Sequence, residues 1–204
     1  HGIPQYYIDS CNKIKYLFPK GHACAYVTMA VRVAYFKIYY PLEFYATFFS
    51  LRCDQYDIES LIKGEDAIYQ ALSEFKDRRN SNNPELALTN KEEEVEKGLI
   101  LALEMAERGY KFANIDIMRS DSDNFIIDLE NKALIPPFKV LDGIGAEASK
   151  EIIRARNEKP FDSILDFKTR GKVSSKTVEL LRKIHALDGY RENDEITLFD
   201  LGLF

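Results

Sequence analysis

The segment Gly143-Ile144-Gly145 is the part of the chain whose residue types and spacing best suit a chemical task, the binding of an anion. Glycine has no Cβ and reaches positive φ at little cost, so two glycines around one apolar residue let successive backbone N–H groups converge on one point. A helix that begins directly after them adds unpaired N–H groups and the positive end of its dipole. The spacing therefore predicts a loop that holds a phosphate group through backbone donors.

The residues around this loop resemble a helix-hairpin-helix motif. Val140, Leu141, Ala148 and Ile152 stand at its apolar and small positions, and Pro160-Phe161 closes it. An ordinary tight turn, the alternative for any Gly-x-Gly, accounts for the glycines but not for these neighbours. The resemblance implies contacts with DNA phosphates. The expected contacts are backbone donors at Gly143, Ile144, Gly145 and Glu147, with Lys150, Arg154 and Arg156 as cations beside the hairpin.

A second, degenerate copy of the motif follows directly. Residues 161–169 are predicted to form a short helix, 170–173 a hairpin with one glycine, and 174–184 a helix capped by Ser174 or Ser175. The DNA-contact residues expected here are Gly171, Lys172, Ser174, Ser175 and Lys176. Two adjacent hairpins would grip both strands across a minor groove and contact the backbone, not the bases.

Composition sets outer bounds on these interpretations. The 204 residues carry a net charge of -5, which argues against a uniformly basic nucleic-acid protein, yet residues 139–190 hold eleven Lys or Arg against eight Asp or Glu. The three cysteines have no zinc-type spacing, so we predict reduced thiols, no metal site and a cytoplasmic location. No signal-peptide pattern is found at the beginning of the sequence. Residues 23–36 are apolar, but Arg32 and Lys37 interrupt them, which favours a buried core helix over a membrane span.

Hydrophobic periodicity predicts a mainly α fold with a small β unit (α+β). Helices are expected at 6–17, 22–40, 42–51, 58–75 with a break at Gly64, and 90–108 with an Asn90–Glu93 capping box and a stop at Gly109. Residues 78–84 should form a loop, 114–118 a strand, and 125–128 a strand paired with 133–135. The domains predicted are 1–110, mainly helical, 111–138, a small β unit, 139–190, the tandem hairpins, and 191–204, an acidic tail.

The first fifty residues interleave cations, aromatic rings and small residues. Lys20 and His22 lie at the predicted beginning of a helix, with Tyr26 one turn beyond His22, so all three side chains could face one phosphate or base. An amphipathic core helix with a basic edge is the alternative that spacing alone favours.

Residues 18–26 resemble the F-x-K-[SA]-H-A-x-A-Y stretch in the fingers of bacterial C-family replicative DNA polymerases, and the order of fingers, β unit, hairpins and tail is similar to members of the PolC type. Gly21 stands where that family usually has Ala or Ser. The resemblance implies that Lys20, His22, Tyr26 and Arg32 lie near the incoming nucleotide or the template in a complete enzyme.

The same resemblance implies a palm domain upstream, whose Asp residues hold two Mg²⁺ ions for nucleotidyl transfer. The only compact acidic cluster here is Asp121-Ser122-Asp123, which is interpreted as a solvated turn. This chain alone is therefore expected to bind primer-template DNA but not to polymerise, and to hold no metal.

Near the end, Glu195, Ile196, Thr197, Leu198 and Phe199 resemble the sliding-clamp peptide of bacterial polymerases, Gln-Leu-[Ser/Asp]-Leu-Phe. Glu195 replaces the Gln, and a carboxylate cannot donate the hydrogen bonds of an amide. The alternative is that these apolar side chains fold back onto the helical domain.

Taken together, the sequence predicts the C-terminal part of a replicative DNA polymerase, with duplex DNA, a sliding clamp and, in the complete enzyme, a deoxynucleoside triphosphate as partners, and no membrane. A stand-alone helix-hairpin-helix module of a repair or recombination protein is the alternative. A protein–protein adaptor is the third possibility.

Overall fold

The structure, a computed structural model, describes residues 2–13, 19–81, 83–141 and 143–193. In this part the chain is mainly α-helical with one small sheet, which confirms the predicted fold class. The helices are α1 Gln5–Lys13, α2 Lys20–Tyr39, α3 Pro41–Leu51, α4 Ile58–Lys63, α5 Glu65–Asn80, α6 Asn90–Glu107, α7 Ala146–Glu158, α8 Ile164–Arg170 and α9 Ser175–Lys183. Short 3-10 turns lie at Pro84–Leu86 and Phe138–Val140. The chain divides into two compact units, residues 1–41 and 42–204.

The first unit consists of α1 and α2. The prediction of a buried core helix at residues 23–36 is wrong for this chain, because α2 contains no buried residue. A 20-residue helix is about 30 Å long, and the other described helix of this unit has only nine residues. Apolar side chains such as Val27 and Val31 are therefore exposed. None of the helices in the described ranges is both long and apolar enough to cross a membrane.

The second unit begins with α3, whose apolar face lies in the core with that of α6. Tyr45 and Phe49 of α3 and Leu99 of α6 are almost fully buried. The Tyr45 hydroxyl donates to Glu104 Oε1 at 3.2 Å and accepts from Arg108 Nη1 at 3.2 Å. Burial is the main reason that the pKa of Tyr45 is raised, because it penalises the phenolate. The buried tyrosine therefore keeps both its hydrogen-bonding roles.

The helix boundaries from α4 to α6 agree with the prediction at Gly64 and differ from it at two other places. Gly64 separates α4 from α5 at φ 93°, as expected. However, α5 continues to Asn80, so the predicted loop at 78–84 begins too early. The capping box is Thr89–Glu92 and not Asn90–Glu93. Glu92 also accepts two hydrogen bonds from Arg78, which together with those from Thr89 lower the pKa of Glu92 to about 2.

The sheet has three short strands, β1 Lys111–Phe112, β2 Ile126–Asp128 and β3 Ala133–Ile135, in the order β1-β3-β2. Strand β2 pairs antiparallel with β3, with Ile127 opposite Leu134, so the predicted pairing is confirmed. Strand β1 runs parallel to β3. The strand predicted at 114–118 is wrong, because the Asp116 carboxylate accepts the N–H of Met118 at 2.8 Å and makes a turn there.

The remaining helices, α7 to α9, surround a second part of the core. Ile152, Phe167 and Leu181, one from each helix, are fully buried, and Phe161 packs edge-to-face on Phe167 with ring centroids 5.2 Å apart. Arg170 at the end of α8 donates to the carbonyl oxygen of Lys159 at 2.6 Å and to that of Ala155, next to the end of α7. These contacts hold the two predicted hairpins in one packed body.

Candidate nucleic-acid interface

The first hairpin, residues 143–145, has one left-handed residue and not two. Gly143 has φ 94°, whereas Gly145 has φ -76° and ψ 163° and caps α7. The expectation of positive φ at both glycines is therefore wrong at Gly145. Ile144 is buried, and its N–H donates to the carbonyl oxygen of Leu141 at 3.2 Å. The predicted backbone donor at Ile144 is thus used inside the protein.

The beginning of α7 presents uncovered N–H groups. An N-cap side chain normally accepts a hydrogen bond from the second or third helical N–H, but Gly145 has no side chain that could do so. Among the described residues, no acceptor engages the N–H groups of Gly145, Ala146 or Glu147. A Cβ built on Gly145 would meet nothing within 4 Å. Packing among the described residues therefore does not require glycine at this position, and none of them covers the helix N-terminus, where an anion can bind.

The second hairpin, residues 171–174, reaches a similar shape with different residues. Here Lys172 is left-handed, with φ 51°, while Gly171 has φ -74°. A Cβ on Gly171 would lie 2.6 Å from the carbonyl oxygen of Phe167. The Gly171 N–H donates to the same oxygen at 2.9 Å, and that of Lys172 to Thr169 at 3.4 Å. These two predicted backbone donors therefore point into the protein.

Ser174 caps α9, which confirms one of the two caps that the sequence offered. Its Oγ accepts the N–H of Thr177 at 3.1 Å. Within the described part of the chain, the N–H groups of Ser174, Ser175 and Lys176 have no acceptor. The second hairpin thus keeps three outward donors and covers a fourth with its own hydroxyl group.

Cationic side chains surround both hairpins, and most are paired. Lys150 contacts Glu147 at 3.1 Å on α7. Arg154 Nη2 and Lys172 Nζ both lie 2.8 Å from Glu151 Oε1. The hydrogen bond from Lys172, followed by the charge of Arg154, lowers the pKa of Glu151, although partial burial opposes this. Lys176 is exposed at the beginning of α9.

Comparisons with known proteins agree with this geometry. The helix-hairpin-helix motif family matches residues 109–195, which include both hairpins. The PolC-type DNA polymerase III of Bacillus subtilis is 43% identical to this chain over 199 residues, or 98% of the chain. The chain belongs to the PolC-type DNA polymerase III family. The polymerases of Caldanaerobacter subterraneus and Ureaplasma parvum carry the same family name and are 42% and 41% identical over 98% and 97% of the chain. The chain spans only 13–14% of the length of these relatives.

One arginine beside the first hairpin of this PolC-type chain has a structural role. Arg156, expected to be a cation next to the first hairpin, is half-buried, and its Nη1 donates to the carbonyl oxygens of Ile117 and Ser120. Burial lowers the pKa of Arg156, while the nearby carboxylates of Asp116 and Asp121 oppose this. The guanidinium group of Arg156 thus joins α7 to the segment after β1.

The acidic cluster of the sequence folds into a turn. Asp121 Oδ2 accepts the backbone N–H and the side-chain amide of Asn124, both at 3.1 Å. Burial alone would raise the pKa of Asp121, but hydrogen bonds from the backbone at Ser122, Asn124 and Asp123 and from the Asn124 side chain lower it overall. The described residues contain no group of three or more His, Cys, Asp or Glu that could hold a metal ion.

The four residues predicted to lie near the nucleotide are all on α2 and are exposed. The rings of His22 and Tyr26 meet edge-on with centroids 4.4 Å apart. Lys20 precedes His22 by only two residues, so on a regular helix their side chains point to different sides. Arg32 lies further along the helix. The structure therefore brings His22 and Tyr26 together, and the roles of all four stay predictions.

The predicted clamp peptide, residues 195–199, lies outside the described residues. Sequence reasoning also missed Glu151 as the residue that joins the hairpins. Its pairing with Arg154, three residues along one helix, has a sequence signal. Its pairing with Lys172, 21 residues away, depends on tertiary packing.

Proposed function

We propose that this chain is the C-terminal part of a replicative DNA-directed DNA polymerase, in which it holds duplex DNA behind the growing primer end. The names of the relatives support this proposal, because PolC-type DNA polymerases III match nearly the whole chain. They also favour it over a stand-alone repair or recombination module. The small share of the relatives that the chain covers leaves room for the catalytic domain elsewhere.

The single observation that carries DNA binding is the open beginning of α7. Three consecutive N–H groups, from Gly145 to Glu147, have no acceptor among the described residues, and no side chain at Gly145 covers them. Such groups, at the positive end of a 13-residue helix, bind the phosphate group of any nucleotide. Because base edges play no part, binding is independent of sequence.

The predicted first domain, residues 1–110, has the proposed role of a fingers segment. Lys20, His22, Tyr26 and Arg32 lie near the incoming nucleotide or the template in the complete enzyme. In the complete enzyme, carboxylates outside this chain would hold two Mg²⁺ ions that assist nucleotidyl transfer. Nucleotidyl transfer needs such a carboxylate set, so the isolated chain binds DNA without extending a primer.

The tail has the proposed role of a tether to the sliding clamp. Leu198 and Phe199 would enter an apolar pocket of the clamp, where each buried side chain contributes roughly 1.5–3 kcal/mol. Glu195 in place of Gln weakens this attachment, because it offers no hydrogen-bond donor.

The test is the affinity of the full chain for a mixed-sequence duplex, measured by fluorescence anisotropy at several salt concentrations. Gly145→Val should weaken binding by about 10-fold or more, since the second hairpin keeps its own donors, while the chain stays folded in thermal unfolding. The physical reason is access, since a side chain at the N-cap lies over the first N–H groups of the helix. The wild type should lose affinity with a logarithmic salt slope of about -0.9 per phosphate neutralised.

Asn157→Val is the matched control, because Asn157 is exposed on the same helix at its opposite end. It should bind as the wild type does. Equal binding by Gly145→Val and the wild type would contradict the role of α7. A wild-type chain without DNA affinity at low salt would overturn the function and favour the adaptor.

A further inference from the structure

Two cations from different hairpins meet at a single carboxylate oxygen. Arg154 belongs to α7, which follows the first hairpin, and Lys172 is the left-handed residue of the second hairpin. Both nitrogens lie 2.8 Å from Glu151 Oε1, so they can be no further apart than twice that distance. Side-chain exposure is 66% for Arg154 and 70% for Lys172, against 19% for Glu151. The carboxylate is therefore covered, and the cations face outward.

The second hairpin lies against α7 next to this cluster. A Cβ on Gly171, the neighbour of Lys172, would lie 3.4 Å from Ile152 Cγ1. Ile152 follows Glu151 in the helix and is fully buried. Adjacent residues of α7 thus hold the second hairpin twice, once through packing and once through charge. The backbones that carry Arg154 and Lys172 are therefore neighbours in the fold, and the shared contact with Glu151 brings the two charged groups together.

Both cations keep donors to spare. A guanidinium group has five N–H donors and an ammonium group has three, and each uses one on Glu151 in this arrangement. A phosphate group has several acceptor oxygens and binds two such donors at once. Because the carboxylate already orders both side chains, less conformational freedom is lost when an anion binds.

We propose that Arg154 and Lys172 form one phosphate-binding site at the junction of the two hairpins, and that Glu151 aligns the two side chains. The site binds a single phosphate group of the DNA backbone, next to the phosphates bound by the helix N-termini. This proposal rests on the proposed duplex binding and adds to it that the two cations neutralise one phosphate together.

The salt dependence of duplex affinity counts the phosphates that are neutralised, with about 0.9 logarithmic units each. We would measure it by anisotropy over about 50–200 mM salt for the full chain and for Arg154→Ala, Lys172→Ala and the double variant. If one phosphate is shared, the double variant loses about 0.9 units of slope, and each single variant loses less because the other cation remains. Lys76→Ala, an exposed cation on α5, should keep the wild-type slope.

If the salt slope falls by about 1.8 units in the double variant and by about 0.9 in each single variant, the two cations neutralise separate phosphates, and the shared site is refuted. An unchanged slope in all three would show that the pair does not face DNA and would overturn it too. In both cases the wild type still binds duplex DNA, whereas failure of the proposed function leaves no slope to compare. Thermal unfolding of each variant checks that the hairpins remain folded.

Discussion

The two hairpins have similar backbones, but their glycines lie at different positions and have different roles. In the first hairpin, Gly143 supplies the left-handed turn, and Gly145 leaves the helix N-terminus open. In the second hairpin, Lys172 takes the left-handed turn at some strain, and Gly171 lies one position earlier, against the carbonyl oxygen of Phe167. Glycine thus serves external access in the first hairpin and internal packing in the second.

Gly171 thus matters for folding, whereas Gly145 matters for the access of a ligand. The buried middle residues, Ile144 and Val173, correspond to each other, as do the cap positions Gly145 and Ser174. Among the described residues, the Ser174 cap covers one helical N–H group, that of Thr177, whereas Gly145 has no side chain that could cover any at the beginning of α7. We infer that the first hairpin provides the stronger backbone contact with DNA, while the second contributes more through Lys172 and Lys176.

The largest expected effect is the difference in stability between Gly171→Ala and Gly145→Ala, which each add one methyl group. Gly171→Ala forces a Cβ to within 2.6 Å of the Phe167 carbonyl oxygen and should lower the free energy of unfolding by about 1–3 kcal/mol. Gly145→Ala meets open space, with φ already negative, and should leave stability unchanged or slightly higher. Urea denaturation of the two variants measures the difference. Similar destabilisation of both would refute the distinction between internal and external glycines.

Sequence reasoning located both hairpins because their signals are local. The Gly-x-Gly spacing, the apolar residues around it and the Ser174 cap lie within a few residues of one another. The predicted capping box is one residue too late because Thr89–Glu92 and Asn90–Glu93 fit nearly the same pattern. The ion pair of Glu92 with Arg78, 14 residues away, has no local signal.

What the sequence did not reveal depends on contacts between distant segments. Lys172 has a positive φ directly after Gly171, which lies close to Phe167 and Ile152, and nothing in the residue types predicts it. Arg156 resembles a surface cation in the sequence, but it is a half-buried donor to the carbonyl oxygens of Ile117 and Ser120. The predicted strand at 114–118 failed because the carboxylate of Asp116 competes locally for backbone donors.

A smaller effect is expected when the caps of the hairpins are exchanged. Gly145→Ser provides a hydroxyl group for the early N–H groups of α7, which should raise stability by a few tenths of a kcal/mol. It should also weaken duplex affinity about 10-fold, because a hydrogen bond to a charged phosphate is lost. Ser174→Gly uncovers the N–H of Thr177 and should do the reverse, with a smaller gain in affinity.

Anisotropy titrations and thermal unfolding of the same samples separate the two quantities. Stability and affinity should move in opposite directions in both variants. If they move together, the caps act only through folding, and the contrast between the hairpins has no bearing on DNA.

The smallest expected effect concerns the charge that joins the hairpins. The pKa of Glu151 is lowered in the folded chain, first by the hydrogen bond from Lys172 and then by Arg154. A carboxyl group whose folded pKa lies below its unfolded value stabilises the fold above the unfolded value, about 4.3 for Glu, and this contribution is lost as pH falls through the folded pKa. Glu151→Gln should therefore be slightly less stable than the wild type at neutral pH, and the gap should close in acid. Urea midpoints of both proteins, measured from neutral to acid pH, give this difference directly. In a Lys172→Met background the same substitution should cost less, because the main cause of the shift is gone. A gap that stays constant with pH would mean that the carboxylate joins the hairpins by packing and not by charge.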